Sequence, residues 1–223
     1  MRISVGVLAA CATLQPAGLS AQETGSVTGT IGGTGKSLPT IRVTIDPNTC
    51  GTERADESMI LDPRGHLANA VVTLVGVKAR PNAAEITVTN EGCRFTPRVQ
   101  VVRPNALMHT ISKDPMLHTT QVLLDNGTTL FNLALPAPGI NLARPLERVG
   151  VLRVACNIHQ WMRGWIMVTD DVAEVTRTDG RFTLANVPPG TYELKVWHES
   201  LKAAPQRVTV AAGKTADVAV HMK

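Results

Sequence analysis

Three side chains with metal-binding chemistry stand three residues apart in the stretch Cys156-Asn157-Ile158-His159-Gln160-Trp161-Met162. A Cys-x2-His-x2-Met run offers a thiolate, an imidazole and a thioether on one short loop. Soft sulfur ligands suit Cu(I), imidazole tolerates both copper oxidation states, and a weak axial thioether tunes the potential. Such a trigonal site needs a second histidine from elsewhere in the chain. His118 lies 38 residues upstream, in Asp114-Pro115-Met116-Leu117-His118, at the start of an expected strand. The candidate metal ligands are therefore His118, Cys156, His159 and Met162, around one copper ion of type 1. His109 competes as the remote ligand, but it falls inside an expected strand and reads as a solvated strand histidine.

Taken singly, each residue has an ordinary structural role: a buried cysteine, a loop histidine, a methionine filling core. Their joint spacing between two strands favours the metal. Zinc would leave the methionine unused in a four-ligand Cys/His site. A dinuclear copper centre would need a second loop cysteine. A copper oxidase or nitrite reductase would need clustered histidines, whereas His66, His198 and His221 are scattered. An electron carrier is expected, not an enzyme.

Cysteine arithmetic agrees. The leader MRISVGVLAACATLQPAGLSA has one early charge, an apolar run and a small-residue cleavage site before Gln22, so residues 1–21 read as a signal peptide. A second reading makes Cys11 a lipid-anchored cysteine. Either way the protein is expected to be periplasmic or otherwise exported. Cys50, Cys93 and Cys156 then remain in an oxidising compartment. Cys50 and Cys93 sit in turn-like surroundings and pair plausibly as a disulfide, while metal binding would protect the odd Cys156.

The rest of the chain supplies the scaffold. Leu152-Arg153-Val154-Ala155-Cys156 alternates, which turns Leu152, Val154 and Cys156 to one face at a strand end. Short strands are expected at 66–77, 84–89, 99–103, 106–111, 119–124, 129–133 and 149–156, with two more around a Gly-rich turn in 26–44. The spacing indicates an all-β sandwich or barrel. Helix is expected nowhere beyond one turn near 56–61. After Thr169 the turns Asp179-Gly180 and Pro188-Pro189-Gly190 separate four further strands, in a piece too small to be comfortable alone. The expected domains are 22–169 and 170–223.

Cleavage would remove Arg2 and no acid, lowering the formal net charge from +4 to +3. With no Lys/Arg cluster and no interleaved aromatics, nucleic-acid binding is unsupported. No stretch reaches the roughly 20 apolar residues of a membrane span. The basic balance suits an acidic protein partner.

At the ligand loop the chain resembles the cupredoxin (plastocyanin/amicyanin-like) family. More closely, it resembles a group of exported bacterial cupredoxin-like proteins carrying a carboxypeptidase-regulatory-like, prealbumin-type β module. The matching stretches are Cys50-Gly51, Leu67–Leu74, Cys93–Pro97, Asp114–His118, Phe131–Pro136, Cys156–Trp165 and Thr178–Glu199. The resemblance implies a cupredoxin-like Greek-key β-sandwich with copper at one end, His159 near the surface, and a redox protein partner such as a cytochrome. The chain departs from the family pattern at Thr119, Gln121 and Arg98, where Asn, His and His are usual. Periplasmic copper handling with the same ligands, or a non-metal cell-surface module, are the competing functions. Trp161 and Trp165 either form a docking patch around His159 or cover the end of the sandwich.

Overall fold

The computed structural model describes residues 23–36, 38–78 and 81–223; the leader and Cys11 lie outside the described residues. The expected all-β architecture is found, as two lobes with separate cores. Among the described residues no helix is long and apolar enough to cross a membrane.

The larger lobe holds the ligand loop. Its sheet runs Phe95–Thr96, Ala83–Asn90, Val99–Ser112, Arg163–Val168, Gly150–Ala155, His118–Leu123, Thr129–Leu135, with Asn141–Leu146 paired to Val99–Ser112. Alternation drives these strands. In Gly150–Ala155, Leu152 and Val154 are buried and Cys156 follows on the same face, as the sequence predicts. That face packs with Val122, Ile166, Phe95 and Met108.

The two strands expected at 99–103 and 106–111 are one 14-residue strand, Val99–Ser112. Pro104 and Asn105 do not end it; Asn105 takes φ 63° and bends it instead. The first half pairs in parallel with Arg163–Val168. The second half pairs with Ala83–Asn90 and Asn141–Leu146. One strand thereby serves both parts of the sandwich. Among the described residues the one helical turn falls at Pro47–Cys50, not near 56–61, where the chain makes a turn held by the Asp56 carboxylate accepting from the Ser58 amide.

The smaller lobe draws on more of the chain than residues 170–223. Gly25–Gly33 lies between Arg181–Val187 and Thr215–Met222, parallel to the latter. Val71–Leu74 lies between Ala173–Val175 and Gly190–Trp197. Val27, Ile31, Leu67, Val72 and Leu74 share one core with Phe182, Leu184, Leu194 and Val220. The physical reason is completeness: the C-terminal strands alone cannot cover both faces of their apolar layer, and strict burial alternation in Gly25–Gly33 fits it to close that layer. Gly29 is required there, because a Cβ would run into the backbone carbonyl of Val218.

A buried ion pair joins the lobes. Arg98 Nε and Nη2 donate to the two carboxylate oxygens of Glu199 at 2.8 and 2.9 Å, with side chains 10% and 6% exposed. Arg98, where the family usually has histidine, is thus a structural cation. Trp165 and Trp197 also meet across this seam, with ring centroids 5.3 Å apart. Glu199→Gln should leave a buried guanidinium half-paired and destabilise the protein by about 3 kcal/mol, with Glu57 still 3.8 Å away limiting the loss. Urea unfolding checks this, and an unchanged midpoint would count against the pair as a seam.

Candidate metal centre

The fold brings three of the predicted ligands together. His118 opens the strand His118–Leu123, Cys156 follows the strand Gly150–Ala155, and His159 stands on the turn between Cys156 and Met162. Antiparallel pairing of these two strands sets Ala155 opposite Gln121, which carries Cys156 up to His118. The turn closes on itself: the Met162 amide donates to the His159 carbonyl at 2.8 Å and the Cys156 amide to the Met162 carbonyl at 3.4 Å.

His118 Nδ1, Cys156 Sγ and His159 Nδ1 all lie within 4.8 Å of one another. The sulfur is 4.0 Å from His118 Nδ1 and 3.7 Å from His159 Nδ1, and the two nitrogens are 3.1 Å apart. Bonds of roughly 2.0–2.3 Å to nitrogen and sulfur, as in zinc sites, put donors around one ion about 3–4 Å apart. Both histidines are fully buried and Cys156 is 3% exposed. Met162, 1% exposed, packs in the same apolar cluster as Cys156. His109 does not join them; its ring meets Asn141 Oδ1 on another strand.

The outer faces of the rings decide what the inner atoms present. His118 Nε2 lies 2.9 Å from Asp114 Oδ2, and His159 Nε2 lies 3.0 Å from Asp46 Oδ2. An ionised carboxylate only accepts, so each Nε2 carries a hydrogen, and with a metal at the centre each Nδ1 would turn its lone pair inward. Two imidazole lone pairs and a sulfur then converge in a dry space. That arrangement is unfavourable without a cation at its centre, so the donor set fits a thiophilic metal ion.

Neither carboxylate was legible as a partner in the sequence. Asp114 is four residues before His118, a spacing that could have signalled it. It also accepts from the Gly92 and Cys93 amides at 2.7 and 2.8 Å, which fixes its orientation. Asp46 has no such local signal. It comes from a strap, residues 41–54, held by the predicted disulfide Cys50–Cys93 and by the Thr49 and Cys50 amides donating to the Asp46 carbonyl. The expectation of His159 near the surface is corrected here: the ring is 0% exposed, because Asp46 caps its outer edge and Trp161 packs beside it, with centroids 5.2 Å apart.

Thr119 takes over the place where the family usually has Asn. Its amide donates to Cys156 Sγ at 3.4 Å and its hydroxyl points to the same sulfur at 3.7 Å, while its Oγ1 accepts from the Asn157 amide at 2.8 Å. The His159 amide also reaches the sulfur, at 3.5 Å. Gln121, the other departure, donates to Thr129 on the neighbouring strand and stays outside the cluster.

Burial opposes ionisation of Cys156, but hydrogen bonds from the His118 ring and from the His159, Thr119 and Ile158 amides outweigh it and bring the thiol down to about 6. The His118 bond needs a proton on Nδ1, at the place a metal would take.

The family described as "Carboxypeptidase regulatory-like domain" matches residues 166–223. No curated protein matches. Among solved structures, the chain is similar to a novel purple cupredoxin from Nitrosopumilus maritimus, with 22% identity over 40% of this chain and 100% of that one, TM-score 0.34. It is also similar to amicyanin from Paracoccus versutus, with 15% identity over 44% of this chain and 96% of that one, TM-score 0.34. An amicyanin variant in its reduced Cu(I) form gives 18% identity over 44% and 97%, TM-score 0.33. The site itself rests on the donor geometry above.

A folded-state value near 6 has a thermodynamic consequence in the metal-free protein. Unfolded cysteine keeps its proton to about pH 8.5, so between these values unfolding takes up a proton. The thiolate contribution should be complete above the unfolded value and disappear as pH falls through about 6. Stability of the metal-free chain should therefore rise with pH across that window, and Cys156→Ser should flatten the rise. Parallel profiles for the two proteins would refute a stabilised thiolate.

Proposed function

We propose that the chain binds one type 1 copper ion, which His118, Cys156, His159 and Met162 would hold, and acts as an exported one-electron carrier between redox proteins such as cytochromes. The observation that carries this reading is the convergence of two Nδ1 lone pairs and one sulfur, each held from behind. Bound copper would supply a Cu(II)/Cu(I) couple there.

The chain's own groups would give that couple a fixed setting. Asp114 and Asp46 orient the imidazoles, so neither ring needs to turn when charge changes. The Thr119 and His159 amides donate to the sulfur and draw electron density from it, which favours the reduced state. Complete burial of both histidines excludes water from the ligands. A rigid, dry donor set suits electron transfer better than copper handling, since an ion that must be delivered needs an opening for an incoming ligand.

The test is a visible absorption and electron paramagnetic resonance spectrum of the mature chain loaded with Cu(II). An intense thiolate-to-copper charge-transfer band with narrow hyperfine splitting is expected, lost in Cys156→Ala and restored through repeated cycles of reduction and reoxidation. A folded, copper-loaded protein without that band would end the electron-carrier reading. A band that fades as copper leaves on reduction would favour copper handling.

A further inference from the structure

Beside the ligand loop the surface opens into a cleft of about 580 Å³ with the strap as one wall and Ile158–Arg163 as the other. Five arginines line it, Arg42, Arg54, Arg94, Arg98 and Arg163, against two carboxylates, Asp56 and Glu57. The protein as a whole is only mildly basic, so this is a local concentration of charge.

The internal pairing does not use up these cations. Arg98 is committed to Glu199 at the lobe seam, and Arg94 meets Glu57 at 3.4 Å. Among the described residues Arg42, Arg54 and Arg163 make no ion pair. Arg54 donates to the Cys50 carbonyl at 3.0 Å, a neutral acceptor. Burial and the neighbouring Arg94 charge hold its pKa below the ordinary value, although Glu57 and Asp114 act against them.

The cleft also lies close to the donor set. The Trp161 indole forms part of its wall, fixed by its Nε1–H donating to the Cys93 carbonyl at 3.1 Å. The same ring packs on His159, whose outer nitrogen is covered by Asp46. A molecule in the cleft is thus separated from a ligand ring by one indole. Exposed Ile45, at 41%, and the aliphatic wall of Ile41 and Ile158 add apolar contact. Arginine and tryptophan with a few aliphatic groups is the composition of protein docking surfaces.

We infer that this arginine-lined cleft docks an acidic surface of a protein partner, against Trp161. That the partner is a redox protein rests on the electron-carrier reading above; the charge of its surface does not.

Hexacyanochromate(III), a paramagnetic trianion, serves as the probe in proton–nitrogen correlation spectra of the full chain, both metal-free and Cu(I)-loaded. The Trp161 indole N–H should broaden at the lowest probe concentrations in both forms. The double variant Arg42→Glu/Arg163→Glu changes two exposed side chains and should weaken that broadening by about tenfold, leaving the copper absorption band intact. Arg103→Glu, on an exposed strand position elsewhere, should leave it unchanged. Broadening centred away from Trp161, or equal in wild type and the double variant, overturns the docking site. So does saturation of the cleft by orthophosphate at low concentration, which would make it a small-anion site. A missing copper band with the probe still seated at Trp161 would instead end the redox reading and leave the acidic docking surface standing.

Discussion

Three Lewis bases that repel one another are held within 4.8 Å in a space without solvent. Everything around them serves to keep that arrangement from relaxing. His118 cannot turn away because Asp114 grips its outer nitrogen, and Asp114 cannot move because two backbone amides from the Cys93 turn grip it. His159 is pinned by Asp46, whose position depends on the strap. The disulfide Cys50–Cys93 ties the strap that carries Asp46 to the turn that holds Asp114. Each imidazole is therefore braced by a carboxylate, and one covalent link connects the two braces.

The same economy governs the sulfur. It accepts contacts from the Thr119 and His159 amides, which come from the two elements that supply the histidines. Thr119 also accepts from the Asn157 amide, next to Cys156. Strand start, strand end and loop thus stitch themselves together at the sulfur. A buried thiol in an apolar pocket would normally stay protonated; here directed hydrogen bonds overcome desolvation, which is the condition for a ligand ready to bind.

What could be read from the sequence was whatever has a local signature. The Cys156–Met162 loop spans seven residues, and alternation in 150–155 sets its facing, so the candidate ligands on it stand together in the sequence. His118 was found because it begins a strand. Asp46 was not, since its partner is 113 residues away and nothing nearby distinguishes it. The strand Asn141–Leu146 was missed because Arg144 and Pro145 break the expected apolar pattern; it is an edge strand, where a missing amide donor is tolerated. The second lobe shows the larger limit. Gly25–Gly33 reads as a strand, but its choice of the C-terminal lobe depends on pairing with residues far along the chain, and on Gly29 yielding space to the Val218 carbonyl.

That pairing constrains how the protein comes into being. Ser26 and Thr215 meet across a separation of 189 residues, and the parallel ladder that joins their strands runs for eight registered pairs. No ribosome-bound intermediate lacking Thr215–Met222 can close the smaller lobe. Its first strand must wait, exposed along one edge, until a partner 189 residues further along the chain is made. Long-range parallel pairing is slow to find, so the early strand has the longest opportunity to pair wrongly. The glycines of GSVTGTIGG specify register only weakly, so the right pairing of that waiting strand rests on the buried alternation of Val27 and Ile31.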